Sequence, residues 1–212
     1  MRRTQAERSA STQQALVAAA RRLWATHGYA GASTPEIAEA AEVTRGAMYH
    51  QYADKRELFV AVIEQVEADV IQRLADAVGA AEPKTPADGL RVAADAWLEV
   101  ASEPEVRQLV LIDAPGVLGW AEFREISLRY GLGMTEQLLG AAIEAGQLAA
   151  QPVRPLATIM IGALDEAAMS IANASEPALE HAQVRAVIHN LIDGLLIDPS
   201  RGPRRGSSQQ KP

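Results

Sequence analysis

The chain has 212 residues and a formal net charge of −7; it is 48% hydrophobic, only 4% aromatic, and contains no cysteine. That apolar content is enough for one or two domains with a sizeable core, and the weight of Ala, Leu and Val favours helices. The missing cysteine excludes a disulfide framework, a thiol nucleophile and Cys-ligated zinc, and it fits a reducing cytoplasm.

Residues 1–8, MRRTQAER, carry basic charge without an apolar run, and no window approaches 18 consecutive apolar residues, so neither a secretion signal nor a membrane span is expected. They read as a loose arm, either a solvated tail or one from which Arg2, Arg3 or Arg8 touches a minor groove. A first helix is predicted over 11–27 from the stripe Leu16, Ala19, Ala20, Leu23 and Trp24, with Gly28 as the residue that ends it. His27, in the last turn, is read as a helix-end cation.

Ser33 opens a second, short helix: its hydroxyl can cap the backbone, Pro35 lies in the first turn, and Glu36 can reach back to complete a capping box. Ile37, Ala38 and Ala41 give one small apolar face, and the chain turns at Glu42 and Val43. Thr44 caps a third helix through Gln51, in which Ala47 and Met48 can face inward while Thr44, Arg45, Tyr49 and His50 face out. Hydrogen-bonding groups near the start of a second short helix are what a major-groove reader needs, so 33–58 reads as a helix-turn-helix. A further cap, Asp54 with Glu57, opens a fourth helix whose stripe Phe59, Val62, Ile63, Val66, Val70 and Leu74 lasts to about Val78. Such a helix is long enough to join two modules rigidly. Lys55, in its first turn, suits a phosphate. The expected DNA-binding set is Ser33, Thr34, Thr44, Arg45, Gly46, Tyr49, His50 and Lys55.

These residues also carry a resemblance. Gly28-Tyr29 after the first helix, Ile37-Ala38 in the second, Met48-Tyr49-His50-Gln51-Tyr52 ending the third and Lys55 with Leu58 opening the fourth are similar to the DNA-binding head of the TetR family of bacterial repressors, over about residues 9–60. Two positions depart from that signature. Glu42 stands where the turn commonly has Gly, which strains the backbone by roughly 1 kcal/mol if its φ is positive. Tyr52 replaces the usual Phe, keeping the ring and adding a hydroxyl.

The Gly- and Pro-rich run GAAEPKTPADG breaks the chain before a fifth helix, about 86–102, with Leu90, Ala93, Trp97 and Leu98 inward. Pro104 starts a shorter sixth helix, and Asp113–Trp120 is expected to bend because Pro115, Gly116 and Gly119 crowd it. A seventh helix is expected over about 121–145, loosened at Gly131 and Gly133. The GLGM there is not a dinucleotide fingerprint, since the third glycine and a preceding strand are lacking. The last two helices, about 154–174 and 177–197, have broad apolar stripes that fit an intrachain hairpin or half of a four-helix bundle completed by a second copy. The resemblance favours the dimer, with Leu156, Met160, Leu164, Val184, Ile188, Leu191 and Leu195 at the interface. Residues 199–212 read as a disordered tail.

The charge is unevenly spread: residues 1–56 hold eight Lys/Arg against five Asp/Glu, a net +3, and residues 57–212 carry −10. A basic reading head on an acidic body is the natural description. The fold expected is all-α, about nine helices, with a helix-turn-helix domain over 9–56, a ligand-binding and dimerisation domain over 57–198, and flexible ends. The resemblance implies a ligand-responsive repressor that binds a palindromic operator as a homodimer in the cytoplasm and takes a small, largely apolar effector in the body. Candidates for that cavity are Trp97, Leu109, Asp113, Trp120, Arg129, Tyr130, Met134, Asp165 and Met169, although any single one of them reads more readily as ordinary core. An enzyme is disfavoured: His189 lies four residues before Asp193 without a second ligand at metal spacing, and no nucleophile–base pair is apparent, so no catalytic residue, metal or cofactor is expected. An architectural DNA protein would need a basic surface throughout, against the acidic body.

Overall fold

The computed structural model describes residues 4–197. The expectations placed on Arg2, Arg3 and the 199–212 tail fall outside them. Among the described residues there are nine helices: α1 (Gln5–Gly31), α2 (Thr34–Ala40), α3 (Arg45–Gln51), α4 (Lys55–Ala81), α5 (Pro86–Ala101), α6 (104–118), α7 (Trp120–Glu144), α8 (Val153–Asn173) and α9 (Pro177–Leu195).

α1 begins earlier than its apolar stripe implies. The Thr4 hydroxyl accepts from the Glu7 backbone at 3.2 Å while the Glu7 carboxylate accepts from the Thr4 backbone at 2.7 Å, a complete capping box. Residues 5–8 are therefore helical and not a loose arm, because local capping organises a turn that has no core to bury. Near its other end α1 is broken at Gly28, whose φ of 70° and ψ of 167° favour glycine. The head closes around Leu16, Trp24, Ile37, Met48, Leu58 and Phe59, all fully buried. Trp24 meets Phe59 edge-on with centroids 5.2 Å apart, and Tyr29 does so at 4.9 Å. The turn between α2 and α3 places Glu42 at φ 56°, so the strain anticipated for a non-glycine residue there is present.

α4 starts at the Asp54 cap, which accepts from the Glu57 backbone at 2.8 Å; Glu57 reaches back to Ala53 instead of Asp54, so the box is displaced by one residue. The helix then packs on α1 in the head and on α5 and α7 in the body, which makes it the shared spine of the molecule.

The bend expected across Asp113–Trp120 is confined to one residue. α6 runs as a short α segment (Pro104–Val106), a π stretch (Arg107–Asp113) and a second α segment (Ala114–Leu118), and only Gly119, at φ 80°, turns the chain. Pro115 is the second residue of the α segment that follows the π stretch. α7 likewise runs unbroken through Gly131 and Gly133. α8 is long and apolar enough, by length and composition alone, to cross a membrane; here it packs against α5, α7 and α9. A single antiparallel bridge, Leu148 with Leu196, ties the segment after α9 to the turn after α7, and the Ile197 backbone donates to the Gln147 carbonyl at 2.8 Å.

Candidate nucleic-acid interface and body cavity

The caps of α2 and α3 position the reading face. The Ser33 hydroxyl donates to the Glu36 carboxylate at 2.7 Å and the Ser33 backbone does the same, so this serine is engaged in starting α2. Thr44 accepts from the Ala47 backbone at 3.1 Å and starts α3 in the same way. Arg45, Gly46, Tyr49 and His50 are exposed along one side of α3, opposite the fully buried Met48. The Tyr49 hydroxyl lies 3.3 Å from the Thr34 hydroxyl, which braces α3 against the first turn of α2. That hydrogen bond, with Arg45 nearby, holds the Tyr49 phenol below its ordinary range. A Cβ built on Gly46 would meet only the Thr44 hydroxyl, at 3.9 Å, so the protein's own packing does not require a glycine there.

Lys55 is placed differently from the free ammonium that its sequence position implies. It is half-buried, donates to the Tyr29 carbonyl at 2.5 Å and lies 4.2 Å from the centroid of the Tyr29 ring. Burial lowers its pKa, against the opposing charges of Asp113 and Glu36. Two of its three donors remain for a phosphate, with the side chain already fixed by Tyr29.

In the body, α4, α5, α7 and α8 enclose a void of about 70 Å³. Three of the nine residues expected there line it: Trp97, Met134 and Asp165. The other six lie elsewhere. Leu109 is fully buried core, and Asp113 faces the head, accepting from the Tyr29 backbone at 2.8 Å. Trp120 is 67% exposed beside Phe123, because it follows the Gly119 turn on the outer side of α7. Arg129 is on the surface, paired with Glu64 and Glu125, and Tyr130 and Met169 are partly buried packing residues outside the lining. Stripe position could not separate these outcomes, since neighbouring helices decide which part of a broad stripe meets the void.

The polar residues on the cavity wall were missed apart from Asp165. Glu67, 5% exposed, sits on α4 among apolar neighbours and makes no hydrogen bond or ion pair among the described residues. Its signal was legible: it falls four residues after Ile63 and three before Val70, inside the apolar stripe. Burial, reinforced by the charge of Asp165, pushes its carboxyl up to about 7. Asp165 is itself pushed up to about 6 by burial, restrained by Arg124, whose guanidinium donates to it at 2.9 Å and to the Thr158 carbonyl at 2.7 Å. Ser127, 7% exposed, adds a hydroxyl.

The seven residues expected at a dimer interface divide four ways. Met160 and Leu164 line the cavity, and the Leu164 carbonyl accepts from the Trp97 indole at 3.1 Å; Ile188 is core. Leu156, Val184 and Leu195 are partly buried, and Leu191 is 56% exposed. α5 and α7 cover the 156–160–164 line of α8, which leaves Ile159, together with Val187 and Leu191 of α9, as the outward apolar face.

A helix-turn-helix head carried on a long helix that continues into an all-helical, cavity-bearing body is the architecture of a DNA-binding transcriptional regulator. Residues 16–62 match the family described as "Bacterial regulatory proteins, tetR family", and residues 87–195 match "Tetracyclin repressor-like, C-terminal domain". The chain belongs to the TetR family. It is 34% identical to a TetR-family transcriptional regulator from Pectobacterium atrosepticum of known structure, with a TM-score of 0.80 over 93% of this chain and all of that one. The Tn10 TetC protein of Escherichia coli is 27% identical over 90% of this chain and 95% of its own. The CymR regulator of Pseudomonas putida is 42% identical over 34% of this chain and 36% of its own. RolR, solved with resorcinol, shares the fold at 19% identity, with a TM-score of 0.72 over 88% of this chain and 90% of its own.

Proposed function

We propose that the protein is a cytoplasmic, homodimeric repressor that grips a palindromic operator and lets go when a small effector with a largely apolar body enters the α4–α5–α7–α8 cavity. The observation that supports this most directly is the continuity of α4. Its first turn holds Lys55 against Tyr29 beneath the reading helix, and its later turns supply Glu67, Val70, Ile71 and Leu74 to the cavity wall. A molecule that favours a displaced position of those later turns also displaces the head.

Dimerisation is supported by the outward face of α8 and α9. Ile159 is 68% exposed, Val187 and Leu191 are each 56% exposed, and small Ala163 beside them permits close approach. One head makes too few contacts for tight, selective binding; two heads about 34–36 Å apart read two half-sites one helical turn apart.

The test is selection of bound duplexes from a random DNA pool by the full-length protein, with its mass in solution measured alongside. Recovered sequences should be palindromes with half-sites roughly one turn (about 10 base pairs) apart, bound by two chains. An asymmetric consensus bound by a single chain refutes the reading.

A further inference from the structure

Glu67 is the anomaly of the body. The residue is only 5% exposed, its carboxyl lines the void with oxygens open to it, and it makes no hydrogen bond or ion pair among the described residues. A purely apolar occupant would offer that group no partner.

The neighbouring groups select the sign of the charge that fits. An anion would face two carboxyl groups, Glu67 and Asp165, while the nearby cation Arg124 is already bound to Asp165 and to the Thr158 carbonyl. A cation would meet an unpaired acid and, on the same cavity wall, Trp97, held in place because its indole N–H is bonded to the Leu164 carbonyl. Apart from the hydroxyls of Ser127 and Thr135, the rest of the wall is apolar, with Ile71, Leu74, Leu90, Met134 and Ile161 among it. A void of about 70 Å³ holds about two waters at their liquid share of roughly 30 Å³ each, and an apolar cavity that admits benzene measures about 150 Å³, so the occupant is smaller than a benzene ring.

We propose that the cavity takes a compact hydrophobic amine, its protonated nitrogen paired with the Glu67 carboxylate and its apolar body packed between Trp97 and Met134. This rests on the effector reading above and specifies its chemistry. Glu67, its carboxyl lying at about 7, holds its proton mainly below that pH, so pairing with an ammonium there expels up to one proton from Glu67 to solvent. The titratable or charged groups facing Glu67 are Asp165 with its partner Arg124, and the Tyr130 hydroxyl. Below pH 7 the affinity therefore falls, by up to about tenfold per unit, and above it the affinity levels off until the amine itself loses its proton.

The experiment is calorimetric titration of the full-length protein with three small probes of one shape, propylamine, 1-propanol and propionate, at pH 6 and pH 8, repeated on Glu67→Gln. Operator binding is followed in parallel. The expected result is propylamine at least tenfold tighter than the alcohol at pH 8, proton release on binding at pH 6, no propionate binding, and loss of the amine preference in the variant. Thermal unfolding of Glu67→Gln confirms that the variant is folded, and retained binding of 1-propanol shows that its cavity is intact. Equal or tighter binding of the alcohol or propionate, no binding of the amine, or an amine preference that survives in Glu67→Gln overturns the proposal. If the amine binds through Glu67 while operator affinity stays unchanged, the site stands and the effector reading fails. If neutral compounds release the operator and amines do not bind, the effector reading stands and the amine is refuted.

Discussion

The backbone N–H of Tyr29 donates to the Asp113 carboxylate at 2.8 Å, so the end of the first head helix is fastened to the π stretch of α6 in the body. The same tyrosine accepts from Lys55 through its carbonyl and lies under the ammonium, so one residue joins α1, α4 and α6. Gly28 makes this approach feasible: a Cβ there would sit 3.2 Å from the Gln108 amide, on a backbone already at φ 70°.

Asp113→Ala is therefore expected to leave the Tyr29 N–H unpaired and to cost about 1–3 kcal/mol in urea unfolding. Asp113→Asn, which keeps an acceptor, should lose clearly less. Equal losses from the two would mean that the carboxylate's charge, and not its hydrogen bond, fastens head to body.

Arg45 is exposed near the start of α3 and makes no ion pair among the described residues, which leaves its guanidinium available to a base edge, most naturally a guanine. Arg45→Ala should relax selectivity at one position per half-site, at about 1–3 kcal/mol there, in a binding assay over all single-base substitutions. Uniform weakening across every substitution would reassign Arg45 to the phosphate backbone.

Lys55→Ala should instead weaken all sequences alike and flatten the slope of log K against log salt by about 0.9 per half-site. It also removes the cation stacked on Tyr29, so a modest loss of thermal stability should accompany it. A changed base preference at constant salt slope would contradict the assignment.

Leu191→Arg and Val187→Arg should yield folded monomers with operator binding lost, because each places a charge twice in a symmetric interface. Leu164→Arg, by contrast, places its charge in the cavity wall and should destabilise the body itself. Sedimentation of each variant distinguishes the two; a DNA-binding dimer from Leu191→Arg would place the interface elsewhere.

Glu67 should also make stability depend on pH. Its folded value of about 7 lies above the ordinary carboxyl value of 4.5, so the folded state binds the proton more tightly than the unfolded chain does. The associated stability is present below pH 4.5 and is lost as pH rises through 7, a change of order 3 kcal/mol. Asp165, raised to about 6, acts in the same direction, so the difference between wild type and Glu67→Gln isolates the share of Glu67. Parallel stability curves for the two proteins between pH 5 and 8 would show that Glu67 is ionised or solvated throughout.

What the sequence determined by itself is what depends on residues a few positions apart. Ser33 with Glu36, Thr44 with Ala47 and Asp54 with Glu57 bring their partners together within a single turn, so the helix starts, the reading head and the family signature were all legible. The same reasoning applied at Thr4 and Glu7 marks the true start of α1, and a carboxyl at position 67 inside an apolar stripe marks the cavity's acid. Tertiary structure alone decided how the broad stripes of α7, α8 and α9 were shared out. Met160, Leu164 and Ile159 look alike along the chain, yet two face a void and the third faces solvent, because the angle at which α5 and α7 cross α8 sets which line of side chains is covered. Crossing angles arise from packing between elements far apart in sequence, and periodicity reports how apolar a face is without saying what lies against it.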